Sequence, residues 1–113
     1  MLLYICLMNG SVQNLLAELK MGLRRLYGQR LKGVYLYGSY ARSEQAADSD
    51  LDVLIVLDRV DHYCGEIDRT GYLTSELSLK YGVSISRVLV GADEWQTVDT
   101  PLLANVRMEG MAA

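Results

Sequence analysis

The sequence predicts a small α/β (α+β) domain in which helices pack on a mixed β-sheet. Amphipathic stretches with apolar residues every three to four positions alternate with short apolar runs. The run Leu51–Leu57 is almost wholly apolar, which is typical of a strand buried on both faces. Glycine and proline residues mark the boundaries between these segments. The predicted order of elements is α-β-α-β-α-β-α.

The first half of the chain contains a helix, a short strand and a tight turn. Ser11 is a candidate cap for a helix that runs to about residue 30. The strand covers residues 34–37 and is broken by Gly38-Ser39, and residues 40–47 leave room for about two helical turns. The apolar stripe of the helix consists of Val12, Leu15, Leu16, Leu19, Leu23, Leu26 and Tyr27.

The second half repeats this alternation. A helix is predicted over residues 61–81, with Gly82 as its C-terminal stop, and a third strand over residues 83–90. Thr100-Pro101 combines a cap with proline at the first helical position, so it opens a last helix that Gly110 closes. The stripe predicted for the helix over residues 61–81 consists of Tyr63, Ile67, Leu73, Leu77 and Tyr81.

Length and composition indicate one packed domain. The chain has 113 residues, half of them hydrophobic and 22% charged. We assign residues 11–113 to this single domain, and residues 1–10 to an N-terminal extension or a packed strand. The apolar N-terminal segment is too short to span a bilayer, so we expect no membrane partner. Cys6 and Cys64 are too few for a disulfide framework or a zinc site, and two free thiols suit a reducing cytoplasm.

The charge is divided unevenly along the chain. The net charge is −3; residues 1–43 hold six basic residues against Glu18 alone, while residues 44–113 hold thirteen acids against five bases. This balance does not produce a global field that attracts nucleic acid, so direct nucleic-acid binding is not expected. The basic half could still face a small anion such as a nucleotide, or an acidic partner.

The most informative pattern is Gly38-Ser39, ten residues, then Asp50-Leu51-Asp52. In an extended strand two carboxylates at i and i+2 lie on one face, about 7 Å apart between their Cα atoms. The two carboxylates repel each other unless a cation lies between them. Mg²⁺ is a suitable cation, because it prefers one or two carboxylates together with phosphate oxygens as ligands. Taken alone, Gly-Ser is usually only a turn, and acids at the mouth of a strand are usually solvated.

The combined pattern resembles the signature of the minimal nucleotidyltransferases of the DNA polymerase beta superfamily. Ala41-Arg42 after the serine and Ser49-Asp50 before the acid pair extend the match, and the resemblance covers roughly residues 11–110. It implies a polymerase-beta-like nucleotidyltransferase fold, with ATP as substrate and Mg²⁺ as cofactor.

The resemblance assigns roles to particular residues of this chain. Gly38 and Ser39 would bind the triphosphate, Asp50 and Asp52 would be metal ligands, and Ser39, Asp50 and Asp52 would form the catalytic group. Arg42 is a candidate phosphate contact. Its alternatives are a solvated helix charge or an ion pair to an acid such as Glu44 or Asp48.

One feature departs from the family pattern. Many members place a third carboxylate on the next strand, but residues 83–90 contain no acid, and Asp93 and Glu94 follow in a predicted loop. Either two carboxylates suffice, a residue from elsewhere substitutes, or catalysis is weak or lost.

The resemblance also suggests a biological setting. Small solitary members are antitoxins of two-gene modules whose toxin is a HEPN-domain ribonuclease, silenced by transfer of AMP from ATP to a toxin tyrosine. The leading hypothesis is such a protein adenylyltransferase, working in a homo- or hetero-oligomer of undetermined composition. Two alternatives stay open: a non-catalytic binding antitoxin that acts by occlusion, and a nucleotidyltransferase acting on a small molecule or RNA.

Overall fold

The computed structural model describes residues 10–42, 44–46 and 48–113. The N-terminal extension or packed strand predicted for residues 1–10 lies, apart from Gly10, outside the described residues. No helix in the described part of the chain is long and apolar enough to cross a membrane. The elements are α1 (Gly10–Tyr27), a 3₁₀ turn (Gly28–Arg30), β1 (Leu31–Tyr37), α2 (Ser39–Arg42), β2 (Leu51–Leu57), α3 (Tyr63–Tyr81), β3 (Ile85–Gly91), α4 (Ala92–Thr97), α5 (Pro101–Glu109) and β4 (Met111–Ala112).

The four strands form one mixed sheet in the order β3-β2-β1-β4. β1 pairs antiparallel with β2 on one side and with β4 on the other. β2 pairs in parallel with β3, and α3 is the crossover helix that such a connection requires. The predicted mixed sheet with packed helices is therefore confirmed.

The first face of the sheet carries the larger core, which packs against α1. This helix contributes Leu15, Leu19 and Leu23, each fully buried as its apolar stripe predicts. Leu26, predicted in the same stripe, is 41% exposed, so that part of the prediction is wrong. Alternate residues of β2 face this core because successive side chains of a strand point to opposite faces. They are Leu51, Val53, Ile55 and Leu57.

The second face carries a smaller core beneath α4 and α5. Leu54 and Val56 of β2 pack there with Leu103 and Val106 of α5, all of them buried. β2 is therefore covered on both faces, as its apolar sequence predicts. The alternation also places Asp52 on this second face, in line with Leu54.

Most predicted boundaries agree with the structure to within a few residues. Gly82 ends α3 in the left-handed conformation, with φ of 66°. Thr100 caps α5, because its side chain accepts a hydrogen bond from Leu103 N at 3.3 Å. The prediction of two helical turns over residues 40–47 is wrong, since the helix there ends at Arg42.

Two short elements were absent from the prediction. Asp93 and Glu94 lie in α4 rather than in a loop. β4 adds a two-residue strand beside β1 after Gly110. Such short elements have too few residues for a periodic pattern, so their apolar spacing carries almost no signal.

The buried side of α3 is more polar than its apolar stripe suggests. Leu77 is buried as predicted, but Tyr63 is 45% exposed, so its predicted place in the stripe is wrong. The buried residues of the helix are Glu66, Thr70, Thr74 and Leu77. Arg87 of β3 satisfies part of this buried polar surface, because it donates to Thr70 Oγ1 at 2.6 Å and to the Ile67 carbonyl at 2.7 Å.

Glu66 is the buried acid that ties α3 to α1. Its carboxylate accepts hydrogen bonds from the Tyr27 hydroxyl at 2.8 Å and from Arg30 Nη2 at 3.1 Å. Burial alone would raise the pKa of Glu66, but these hydrogen bonds lower it below its ordinary value. Burial and the bond to Glu66 raise the pKa of Tyr27 to about 12.

We expect Tyr27→Phe to lower the free energy of unfolding by about 1–2 kcal/mol, because buried Glu66 loses one donor and keeps its ion pair with Arg30. Urea denaturation at pH 7 measures the loss. A raised folded-state pKa stabilises the protein below the tyrosine's unfolded pKa of about 10, and the benefit is lost as pH rises towards 12. The difference between wild type and variant should therefore shrink above about pH 10. Equal stability of the two proteins at pH 7 would contradict this role of the hydroxyl.

Candidate active site

The candidate site lies at one edge of the sheet, where β1 ends and β2 and β3 begin. Tyr37, the last residue of β1, is the register partner of Asp52. Asp52 in turn is the register partner of Ser86 in β3. The turn that follows β1 and the acids that open β2 are thereby placed at the same end of the sheet.

Gly38 and Asp52 approach so closely that only glycine fits at position 38. The backbone of Gly38 has φ of 76°, in the left-handed region that side chains disfavour. A Cβ built there would overlap Asp52 Oδ2 and lie 3.2 Å from Asp52 Cγ. The structure thus brings the carboxylate of Asp52 against the glycine-serine turn.

Ser39 begins the short helix α2 directly after this turn. The helix is closed by hydrogen bonds from Arg42 N to the Gly38 carbonyl at 3.1 Å and from Glu44 N to the Ser39 carbonyl at 2.8 Å. Ser39 is half-buried. Its position next to Gly38 places a small hydroxyl side chain beside the turn that Asp52 contacts.

Asp50 and Asp52 form the like-charged pair that the i, i+2 spacing predicts. Burial raises the pKa of the Asp52 carboxyl, the charge of Asp50 raises it further, and the charge of Arg42 opposes the rise. Asp50 is exposed and Asp52 is half-buried. The folded protein therefore disfavours the charged form of Asp52 when no cation is bound.

The donor set fits a hard divalent cation. Neither Asp50 nor Asp52 forms an ion pair with any residue that the structure describes. Two unneutralised carboxylates at an open sheet edge match the one or two that Mg²⁺ takes alongside phosphate oxygens. Over residues 10–42, 44–46 and 48–113 there is no cluster of three acidic, cysteine or histidine side chains suited to a metal.

The strand on which many family members place a third carboxylate has none. Ser86 lies opposite Asp52 in the parallel register, and β3 contains no acid. Asp93 and Glu94 do not replace it, because α4 follows the far end of β3. The departure noted in the sequence is therefore also present in the structure.

Arg42 forms two ion pairs on the protein surface. Its Nε lies 2.6 Å from Glu44 Oε1 and its Nη1 lies 2.9 Å from Glu109 Oε1. The pair with Glu44 is one that the sequence left open. The contact with Glu109 was not predicted, because the two residues are 67 positions apart in the sequence and come together only in the folded chain.

A charged cavity of about 400 Å³ lies near the opposite end of β2. Two of its acids are paired: Asp58 with Arg30 at 3.0 Å, and Asp61 with Arg59 at 3.1 Å. His62, the single histidine of the sequence, also lines it and is exposed. A cation would therefore bind less favourably in this cavity than at the unneutralised pair of Asp50 and Asp52 at the other end of β2.

Comparison with known proteins gives one family and several relatives. The model of the family described as Nucleotidyltransferase domain matches residues 16–94. The Methanocaldococcus jannaschii protein named putative protein adenylyltransferase MJ0604 is 42% identical over 67 residues, which are 59% of this chain and 61% of that protein. The chain thus spans less than two thirds of that relative. Protein adenylyltransferase MntA of Thermococcus cleftensis is 33% identical over 70 residues, 62% of this chain and 69% of that protein.

A solved structure shares the fold. The crystal structure of a toxin–antitoxin with AMP-PNP superposes with a TM-score of 0.56 at 23% identity. The match covers 83% of this chain and 68% of that chain. At this level of identity the likeness concerns the fold.

We expect Gly38→Ala to destabilise the protein more than Gly28→Ala, although both glycines have positive φ. A Cβ at Gly28 meets nothing within 4 Å, so that variant bears only the backbone strain of about 1–2 kcal/mol. Gly38→Ala must in addition displace the Asp52 carboxylate. Urea denaturation compares the two, and combining Gly38→Ala with Asp52→Ala should remove the excess. Equal losses in the two single variants would contradict the close approach.

We expect Asp52→Asn to raise the thermal midpoint of the metal-free protein at neutral pH. The folded-state pKa of Asp52 is raised, so the folded protein loses stability as pH rises from the ordinary aspartate pKa through the raised one. The amide removes this penalty. Asp48→Asn, at an exposed position, is the matched control and should leave the midpoint nearly unchanged. A lower midpoint for Asp52→Asn in chelator would contradict the electrostatic account.

Proposed function

The chain belongs to the nucleotidyltransferase domain family, and on that premise we propose that it is a Mg²⁺-dependent protein adenylyltransferase acting as an antitoxin. The family and the nucleotidyltransferase fold, both predicted from the Gly-Ser and Asp-Leu-Asp pattern, are confirmed. The observation that carries the proposal is the approach of the Asp52 carboxylate to the turn at Gly38.

The proposed chemistry uses the acid pair to hold a metal ion and the turn at Gly38 to hold phosphate. Asp50 and Asp52 would hold Mg²⁺, which when bound neutralises phosphate charge and favours in-line attack at the α-phosphorus. The backbone at Gly38 and the hydroxyl of Ser39 would bind the phosphate groups. Because the glycine lacks a side chain, the Asp52 carboxylate reaches the turn, so one phosphate group could contact the turn and the metal held by the acid pair.

The nucleotide and the acceptor are assigned from the relatives. Two relatives are named protein adenylyltransferases, and the solved toxin–antitoxin contains AMP-PNP, an analogue of ATP. These names support transfer of AMP from ATP to a protein. The sequence resemblance adds that the acceptor is a tyrosine of a HEPN-domain ribonuclease toxin. The proposal places the reaction in the cytoplasm, where ATP and Mg²⁺ are abundant.

A second candidate function is neutralisation of the partner by occlusion without catalysis. β3 contains no acid, although many family members place a third carboxylate on this strand, and this observation favours the alternative. A binding module needs the same partner surface but has no requirement for the acid pair. The two functions therefore differ in what the loss of Asp50 and Asp52 should do.

We expect the Asp50→Asn, Asp52→Asn double variant to lose at least about 100-fold in AMP transfer, because the acid pair no longer supports charge stabilisation at the phosphates. The assay incubates purified protein with ATP labelled in the α-phosphate, Mg²⁺ and the partner HEPN-domain toxin, and follows label on the toxin. Asp48→Asn is the control, since it makes the same chemical change in the same loop at an exposed position.

The same assay separates the two functions. Label on the toxin with wild type and with Asp48→Asn, but not with the double variant, supports adenylyl transfer. Toxin that is neutralised without label, equally well by the double variant, would establish occlusion and refute the enzymatic proposal.

A further inference from the structure

Arg42 is held between two acids that come from different parts of the chain. Glu44 follows α2 and pairs with Arg42 Nε, while Glu109 ends α5 and pairs with Nη1. A guanidinium carries five N–H donors, and these pairs leave Nη2 without a hydrogen bond to any described residue. Arg42 can therefore bind a further anion while one of its ion pairs is kept.

The two ion pairs differ in how firmly they are held. The Glu44 side chain is 62% exposed, whereas that of Glu109 is 33% exposed. The backbone beside Glu109 is also anchored, because Gly110 N donates to the Val106 carbonyl at 2.7 Å and β4 then pairs with β1. Glu44 lies in a segment outside any helix or strand. The pair with Glu44 is thus the easier one to exchange.

The helix that carries Arg42 starts beside the acid pair. Arg42 N donates to the Gly38 carbonyl at 3.1 Å, and a Cβ at Gly38 would lie 3.2 Å from Asp52 Cγ. Arg42 also belongs to the helix that starts at Ser39. An anion bound at the turn would therefore meet the open side of this arginine.

We propose that Glu109 is a positioning residue that directs Arg42 towards the nucleotide triphosphate, and that Glu44 is a competitor which the triphosphate displaces. The inference rests on the proposed function and extends it to two acids without an assigned role. Exposed ion pairs contribute little to stability, so exchange of Glu44 for a charge-assisted pair with phosphate is favourable.

The two acids should therefore have opposite effects on nucleotide affinity. Glu44→Gln removes the competitor, so ATP with Mg²⁺ should bind about two- to fivefold more tightly. Glu109→Gln removes the anchor, so ATP with Mg²⁺ should bind about three- to tenfold more weakly. Each variant removes one carboxylate charge that is paired with the guanidinium of Arg42, so each is the matched control for the other.

The experiment is equilibrium dialysis of the full chain against labelled ATP with Mg²⁺, with thermal midpoints recorded for every variant. Glu109→Asp provides a second variant that keeps the charge but shortens the reach, and it should also weaken binding. Binding by wild type, with opposite shifts in Glu44→Gln and Glu109→Gln, supports the inference. Binding by wild type, with shifts of the same sign or none, overturns the inference alone. No binding by wild type overturns it together with the proposed function.

Discussion

The close approach of Asp52 to the backbone of Gly38 is the constraint on which the site depends. It requires a residue without a side chain at the turn and a left-handed backbone there. It also requires that β1 and β2 be paired in a fixed register, with Tyr37 opposite Asp52. A slip of one residue would turn Asp52 to the other face of the sheet and separate it from the turn.

The two cores keep that register in place. β2 is buried on both faces, so the strand that carries Asp52 at its start cannot shift without disturbing both cores. The fold thereby holds two like charges near each other without an ion-paired cation among the described residues. The raised pKa of Asp52 opposes folding at neutral pH, and the uncompensated carboxylates carry negative charge that the proposed metal ion would neutralise. Such opposition between stability and function is common at active sites.

The sequence predicted the fold class, the main helices and strands and the acid pair, because long periodic segments and a short motif carry strong local signals. It could not predict the polar face of α3, since Glu66 and Thr70 are satisfied by Tyr27, Arg30 and Arg87 from distant parts of the chain. The pairing of Arg42 with Glu109 was missed for the same reason. It joins the end of α2 to the end of α5, and a contact over 67 positions leaves no pattern in the sequence.

The central claim is that the acid pair and the glycine-serine turn share one metal-bound phosphate ligand. The most direct measurement is the paramagnetic broadening of backbone amide signals by Mn²⁺ with ATP, observed by nuclear magnetic resonance. The account predicts that the signals of Ser39 and Val53 broaden together, and that Asp52→Asn abolishes the effect at both. Broadening centred on the cavity beside Asp58 and Asp61 at the opposite end of β2, with Ser39 unaffected, would contradict it.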